Sequence, residues 1–528
     1  MLLVSLAVAS LASLHPSLRP PTHVPFSRTQ LVSDVPSEES PADESCPLEV
    51  VKELLSKGTL RSREEAVDLL LTLVPDAPAA WLLGALADAD PRVADGAQEA
   101  FPLLPGDVTA AALLGRDGLQ SRDPTLRLRC AETLGRLNVA VDGRALLKHV
   151  SVRNVELSRM LLWSVERLAK RDLLSGKRRR IIKAVRLLTG RGDNDRMRAA
   201  AMQALSILAP RDSAISMDNL DEGTGPETAA ALMDTVVALR PSTMMALLRA
   251  GVVHSNPLVR LRAIDMIRSV GMNRDELDLL VTRLDDEPRA AIRTRIHRLL
   301  QYMTGHPAEP DAILWRQFAK GLSPSWNAGW TTNAIPESDR VIGGLYRLEE
   351  LQPFSDRIAI LVDVSAPLWK ATKSGGMTAD LVLAEAAELL TRIDQTASFL
   401  MVPFASEVIP VSLGPIDATP KNVRSAASYL TEDLPSSVNR DQGSNISAAL
   451  DYALGFPEID RVVVISVASE YEGAHVDPSL LARLYREKTR FRPAIFDFVL
   501  INASESSLQA WASLTSARAG RFFLLNAW

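Results

Sequence analysis

Cysteine and histidine are scarce in this chain: two and seven residues, respectively, out of 528. Two cysteines cannot build a disulfide framework, and no Cys-x-x-Cys spacing exists to hold zinc or run thiol exchange. A single bridge between Cys46 and Cys130 stays open. Also missing are a Gly-x-Ser-x-Gly elbow, a phosphate-binding glycine loop and a His-Glu-x-x-His pair. Beyond residue 354 the only histidine is His475, so a serine nucleophile there has at most one general base. After the first fourteen residues no apolar run approaches bilayer length. The formal net charge is −5, and no aromatic residues interleave a basic cluster. That combination points away from nucleic acid. The charge fraction is ordinary for a soluble globular protein, and the length suffices for several cores.

What is present divides the chain into five stretches. Residues 1–14 are uncharged from Leu2 to Leu14, with small residues at Ala7, Ala9, Ala12 and Ser13. This reads as a signal peptide and predicts export to the periplasm or exterior. The first basic residue is Arg19, later than such signals usually place it; without a signal the chain is cytoplasmic. Residues 15–45 are rich in proline, serine and acids, the composition of a disordered linker.

Residues 46–320 carry a repeat. Apolar or small residues recur at i, i+4, i+8 and i+11: Val93, Ala97, Phe101 and Leu104; Leu126, Cys130, Leu134 and Leu137; Leu157, Leu161, Val165 and Leu168. Further copies start at Met197, Val259 and Ile292, and weaker ones at Ser62 and Thr228. The spacing between starts stays near the length of one helical hairpin, the mark of a solenoid. Asp90-Pro91, Asp123-Pro124, Asn256-Pro257 and Glu287-Pro288 precede template helices. Proline suits a first helical turn, and a preceding Asp or Asn can cap it. Arg127, Arg198, Arg260 and Arg293 each follow a template start. This Asp-Pro-x-Val-Arg pattern resembles HEAT repeats, which implies an α-solenoid presenting a long binding surface. One interval is longer and holds Lys177, Arg178, Arg179, Arg180, Lys183 and Arg186. The cluster reads either as a solvated helix face or as a patch for an acidic partner.

Residues 321–353 form a connector. Trp326 and Trp330 in it, with Trp315 just before, predict packing against a flanking domain.

Residues 354–528 alternate apolar strands with helical patterns, which predicts a parallel, doubly wound α/β sheet covered on both faces. The strand Ile358–Val362 ends in Asp363-Val364-Ser365-Ala366-Pro367, and Ser444 sits in the turn that opens a later helix. Ligands of such sheets lie beyond the carboxyl ends of the strands. These residues resemble the von Willebrand factor A domain. Asp363 and Ser365 match two positions of its Asp-x-Ser-x-Ser motif, and Ser444 matches the threonine of its metal-ion-dependent adhesion site. The resemblance implies a Rossmann-like fold, protein binding or assembly, and a magnesium ion in the intact site.

Two positions depart from that pattern. Pro367 replaces the second motif serine, and Val467 stands where the family carries a second carboxylate. Only Asp363 would then supply charge to a divalent cation, which needs a full oxygen shell. The expectation is a degenerate site without cofactor, in a non-enzymatic scaffold whose surfaces are the solenoid and the top of this sheet. Its protein partner is not named by the sequence. The alternative is a metal-dependent adhesion protein or hydrolase, with Glu470, Glu472, His475 and Asp477 as substitute ligands.

Overall fold

The computed structural model describes residues 47–72, 79–104, 107–190, 194–210, 225–235, 241–328, 340–342, 355–370, 378–467, 471–492, 494–517 and 520–525. The export signal, the acidic linker, Cys46, Trp330 and Glu470 lie outside them. The described residues comprise a helical region followed by an α/β domain.

Each template start is the third residue of a helix. The helices are Leu60–Thr72, Pro91–Ala100, Pro124–Leu134, Val155–Lys170, Asp195–Leu208, Pro226–Met233, Pro257–Val270 and Ala290–Thr304. They pack in sequence, each against the next. The helix Ala79–Leu86 lies on Asp107–Leu114, Gly143–Leu147 on Arg178–Thr189, and Pro241–Val252 on Arg274–Asp286, forming a second row. The template residues from Leu157 to Leu168 and from Met197 to Leu208 are all buried, because a spacing of four, four and three keeps them on one helix face. Asp90, Asp123 and Asn256 cap their helices by accepting the backbone N–H of Arg92, Thr125 and Leu258. Glu287 precedes the N-cap position, and its carboxylate accepts the Arg289 N–H at 3.1 Å as well as Arg260 at 2.7–2.8 Å. The arginines after the template starts tie down the preceding turns: Arg127 donates to Leu119, Arg260 to His254 and Ser255, and Arg293 to Glu287. Cys130 is free and buried, and burial, helped by Asp123, pushes its thiol up to about 12.

Trp315 is fully buried on the last helices and Trp326 packs beside it. The chain stays on this region as far as Ala328, whose N–H donates to Met272. Residues 340–342, read as connector, form a strand of the following sheet.

Two short strands, β1 (Val141–Asp142) and β2 (Leu174–Ser175), pair within the helical region. The α/β domain holds β3 (Arg340–Ile342), β4 (Arg357–Asp363), β5 (Ser398–Phe404), β6 (Ile416–Asp417), β7 (Arg461–Ser466), β8 (Ile495–Ile501) and β9 (Phe522–Leu525). Their order is β3-β9-β8-β7-β4-β5-β6, all parallel except β6. Alternate residues feed opposite cores. Ile358, Ile360 and Val362 join the core under the helices Thr378–Thr391 and Pro420–Ser428, whereas Ala359 and Leu361 join the core under Ile446–Leu454 and Glu505–Ala517. Strands buried on both sides read as continuous apolar runs, which explains their sequence. Val408–Val411 is a bonded return beside β5: Val408 bridges Phe404, and Ile409 and Val411 donate to Pro403 and Met401. The order reverses at β4, which lies between β5 and β7, so the crevice belongs at the end of β4.

Candidate functional site

Asp363 closes β4 at that reversal and is 1% exposed. One carboxylate oxygen accepts the Ser365 N–H at 3.0 Å; the other accepts the hydroxyls of Ser444 at 2.8 Å and Ser466 at 2.6 Å. Burial pushes the Asp363 carboxyl up from its ordinary range, and the hydroxyl and amide donors offset part of that. Ser365 is fully buried, and its hydroxyl lies close enough to Asp363 to lower that carboxyl without meeting the geometry of a hydrogen bond. Pro367 lies in the first turn of the 3-10 helix Ala366–Trp369, where its missing N–H costs nothing. That turn is pinned by the Ala366 N–H to Gln442 at 2.8 Å and by the Trp369 indole to the Val364 carbonyl at 2.9 Å.

Ser466 was not singled out from the sequence. β4 and β7 run in register with Val362 beside Ile465, which sets Ser466 next to Asp363. The signal was there in the pairing of two strand ends, but a motif read along one loop does not carry it. Val467 turns away into the apolar core.

The Ser444 turn is held from two sides. Asn445 donates its N–H to Ala405 and caps the helix Ile446–Leu454 through Ala448. On the other side Ser444 bridges Tyr471, and the Glu472 carboxylate takes the Gly443 N–H at 3.1 Å and the Ser406 hydroxyl. A β-carbon at Gly443 would lie 2.4 Å from the Glu472 carboxyl carbon. A larger residue there would push the Glu472 side chain off the turn that it braces.

The four substitute ligands do not gather. Glu472 braces the Ser444 turn, and Asp477 caps the helix Pro478–Lys488 through the Leu480 N–H at 2.6 Å. His475 reaches the helical region, with its Nδ1 3.0 Å from Asp95. Glu470 lies outside the described residues. Among the described residues, no three His, Cys, Asp or Glu side chains converge as a metal-binding group.

Asp95 belongs to a polar joint between the two regions. Its oxygens accept Arg129 at 2.6 Å and the N–H groups of Val476 and Asp477 at 2.6 and 2.9 Å. Arg129 also donates to the Ala474 carbonyl at 2.6 Å. Burial alone would raise the Asp95 carboxyl; His475 and Arg129 outweigh it and hold it low. Further along, Arg490 binds both oxygens of Glu166 at 2.8 and 3.0 Å and the Gln203 side chain at 2.9 Å. Burial opposes ionisation of Glu166, yet Arg490 and Lys170 pull its carboxyl down to about 2. Arg483 pairs with Glu99, and Leu484 packs on the helical core.

The basic cluster opens the helix Arg178–Thr189, which buries Ile181 and Val185 and leaves Lys177, Arg178, Arg179, Arg180, Lys183 and Arg186 exposed. Arg178 donates to the Leu208 carbonyl at 2.9 Å.

The described residues thus join a helical region to an α/β domain that carries a hydroxyl-bound carboxylate at its switch point. No protein-family model matches the chain. No curated protein matches it either. Among solved structures it is similar to an aerotolerance-related membrane protein from Bacteroides fragilis at 14% identity and TM-score 0.25, covering 32% of this chain and 91% of that one. It is also similar to the Deinococcus radiodurans RO (RSR) protein at 16% identity and TM-score 0.21, covering 93% of this chain and 92% of that one.

Proposed function

We propose that the protein is a non-enzymatic interaction or assembly scaffold, built from a HEAT-like solenoid and a von Willebrand A-like domain whose metal site is degenerate. The observation that carries this reading is the state of Asp363. Its carboxylate already takes two hydroxyls and an amide from the protein. A magnesium ion there would meet one charge and neutral hydroxyls, too little to offset its dehydration. The crevice is thus a surface for protein contact, and the helices offer a second. Thermal melting of the full chain with magnesium and with chelator tests this. The midpoint should not move; a rise of several degrees with magnesium, on the order of 1 kcal/mol, sinks the reading.

One observation favours a second reading, metal-dependent adhesion or hydrolysis: the buried Ser365 hydroxyl lacks a partner in hydrogen-bond geometry and could turn its lone pairs to an ion. Elemental analysis of protein purified without chelator decides. One stoichiometric metal, lost in Asp363→Ala, establishes that alternative.

A further inference from the structure

We propose that the outer row of the helical region docks an extended acidic polypeptide across its middle repeats. The proposal deepens the scaffold reading and rests on it.

Many arginines of the helical region pair with carboxylates, as Arg129, Arg136, Arg260 and Arg262 do on template helices and Arg249 and Arg283 do in the second, outer row. The middle of that outer row differs. Arg122, Lys148, Arg153, Arg179, Arg180 and Lys183 are exposed, and none has an ion-pair partner among the described residues. They come from three consecutive outer segments. Gly143–Leu147 packs on Arg178–Thr189, and Arg127 of the template helix Pro124–Leu134 donates to the Leu119 carbonyl of the first segment at 3.1 Å. Of the nearby carboxylates, Asp123 and Asp142 are engaged as helix caps, whereas Asp117 and Asp172 are exposed, so the positive charge is greatest on segments 143–153 and 174–189. Burial and the charges of Arg127 and Lys148 hold His149 below its ordinary range, in keeping with a positive local field. Among the described residues, the hydrogen bonds and ion pairs to the α/β domain come from template helices, and the six cations named above are exposed.

Three features choose the occupant. No Phe, Tyr or Trp lies on the outer segments 107–123, 143–153 or 174–189, so bases have no stacking platform. Ile181 and Val185 are buried in the core, so the helix has no apolar face for a bilayer. Arginine forks suit carboxylates. Packed helices stand about 8–10 Å apart. An extended chain advances roughly 3.3 Å per residue, so an acid at every third position would meet one cation group per repeat. Val152 and Leu187, exposed beside Arg153 and Arg186, supply apolar contacts between the charges.

The test titrates full-length protein into a fluorescent peptide of about five Glu-Ser-Ala triplets and follows anisotropy at low salt. Saturable binding is expected, weakened roughly tenfold or more in the double variant Arg179→Glu, Lys183→Glu. A variant of equal net charge, Lys320→Glu with Lys421→Glu, should bind as the parent does. Matching melting curves for the variants exclude misfolding. Absence of binding overturns the inference, as does an equal loss in the control pair. Tighter binding of duplex DNA or of phosphatidylserine vesicles overturns the choice of occupant. Failure of the peptide titration leaves the magnesium melt, and with it the scaffold reading, standing on its own.

Discussion

Asp460 is a carboxylate buried without full compensation. One oxygen takes the Ser355 hydroxyl, and the other has no hydrogen-bond partner. Burial, aided by the charge of Asp356, raises its carboxyl from 3.8 to about 6. A folded value above the unfolded one favours the folded state at low pH, and that favour is lost as pH rises from about 4 through 6. Asp460→Asn should therefore stabilise the protein near pH 7, by an amount on the order of 1–3 kcal/mol, and do little at pH 4. Urea melts at the two pH values check this; an equal effect at both would place the cause elsewhere. Asp363 calls for a different expectation, because its donors depend on it. Asp363→Ala leaves the Ser444 and Ser466 hydroxyls and the Ser365 amide buried without their acceptor, at a cost of about 2–4 kcal/mol. If that variant melted like the parent, the hydrogen-bonded cluster would not be holding the crevice together.

Among the elements, the Asp-Pro turns show how caps set the start of each template helix. Asp123 accepts the Thr125 N–H at 2.8 Å, and Pro124 follows it. Asp123→Ala should cost about 1 kcal/mol, whereas Asp123→Asn should cost a few tenths, both read from melting midpoints. Much of this level was legible beforehand, because apolar period and turn chemistry are local. The strand read as Ile358–Val362 is β4, longer by one residue at each end. β3 could not be read this way, since three residues at a sheet edge carry no periodicity and owe their form to β9. The Tyr429–Asp433 π-turn escaped for the opposite reason: it continues a helical pattern without a break. In the crevice, Asp363 and Ser444 stood out by type and context. Ser466 and the duties of Glu472 and His475 did not, because each is defined by a partner far off in sequence.

At the scale of the whole molecule, the joint between the regions is made of ions. Glu166 has a carboxyl held down to about 2, against an ordinary 4.5. A lowered folded value contributes stability above about 4.5 that is lost as pH falls toward 2. Glu166→Ala should cost about 1–3 kcal/mol at neutral pH, since it removes both bonds of the half-buried Arg490 to a carboxylate and leaves it Glu487 at 3.5 Å. Arg490→Met added to it should recover part of the loss, and a double-mutant cycle in urea measures that coupling. Additive effects would mean that the two residues do not communicate.

The same joint bears on how the molecule would behave if it came apart. Among the described residues, Asp95, Glu99, Glu166, Arg129, Arg483 and Arg490 line it, with Leu484, Trp163 and Phe491 among them. Separating the two regions would hand these charges back to water, which solvates them well, and would also wet those apolar side chains. Salt would therefore ease the opening by screening the ions, while the apolar side chains draw the joint shut again.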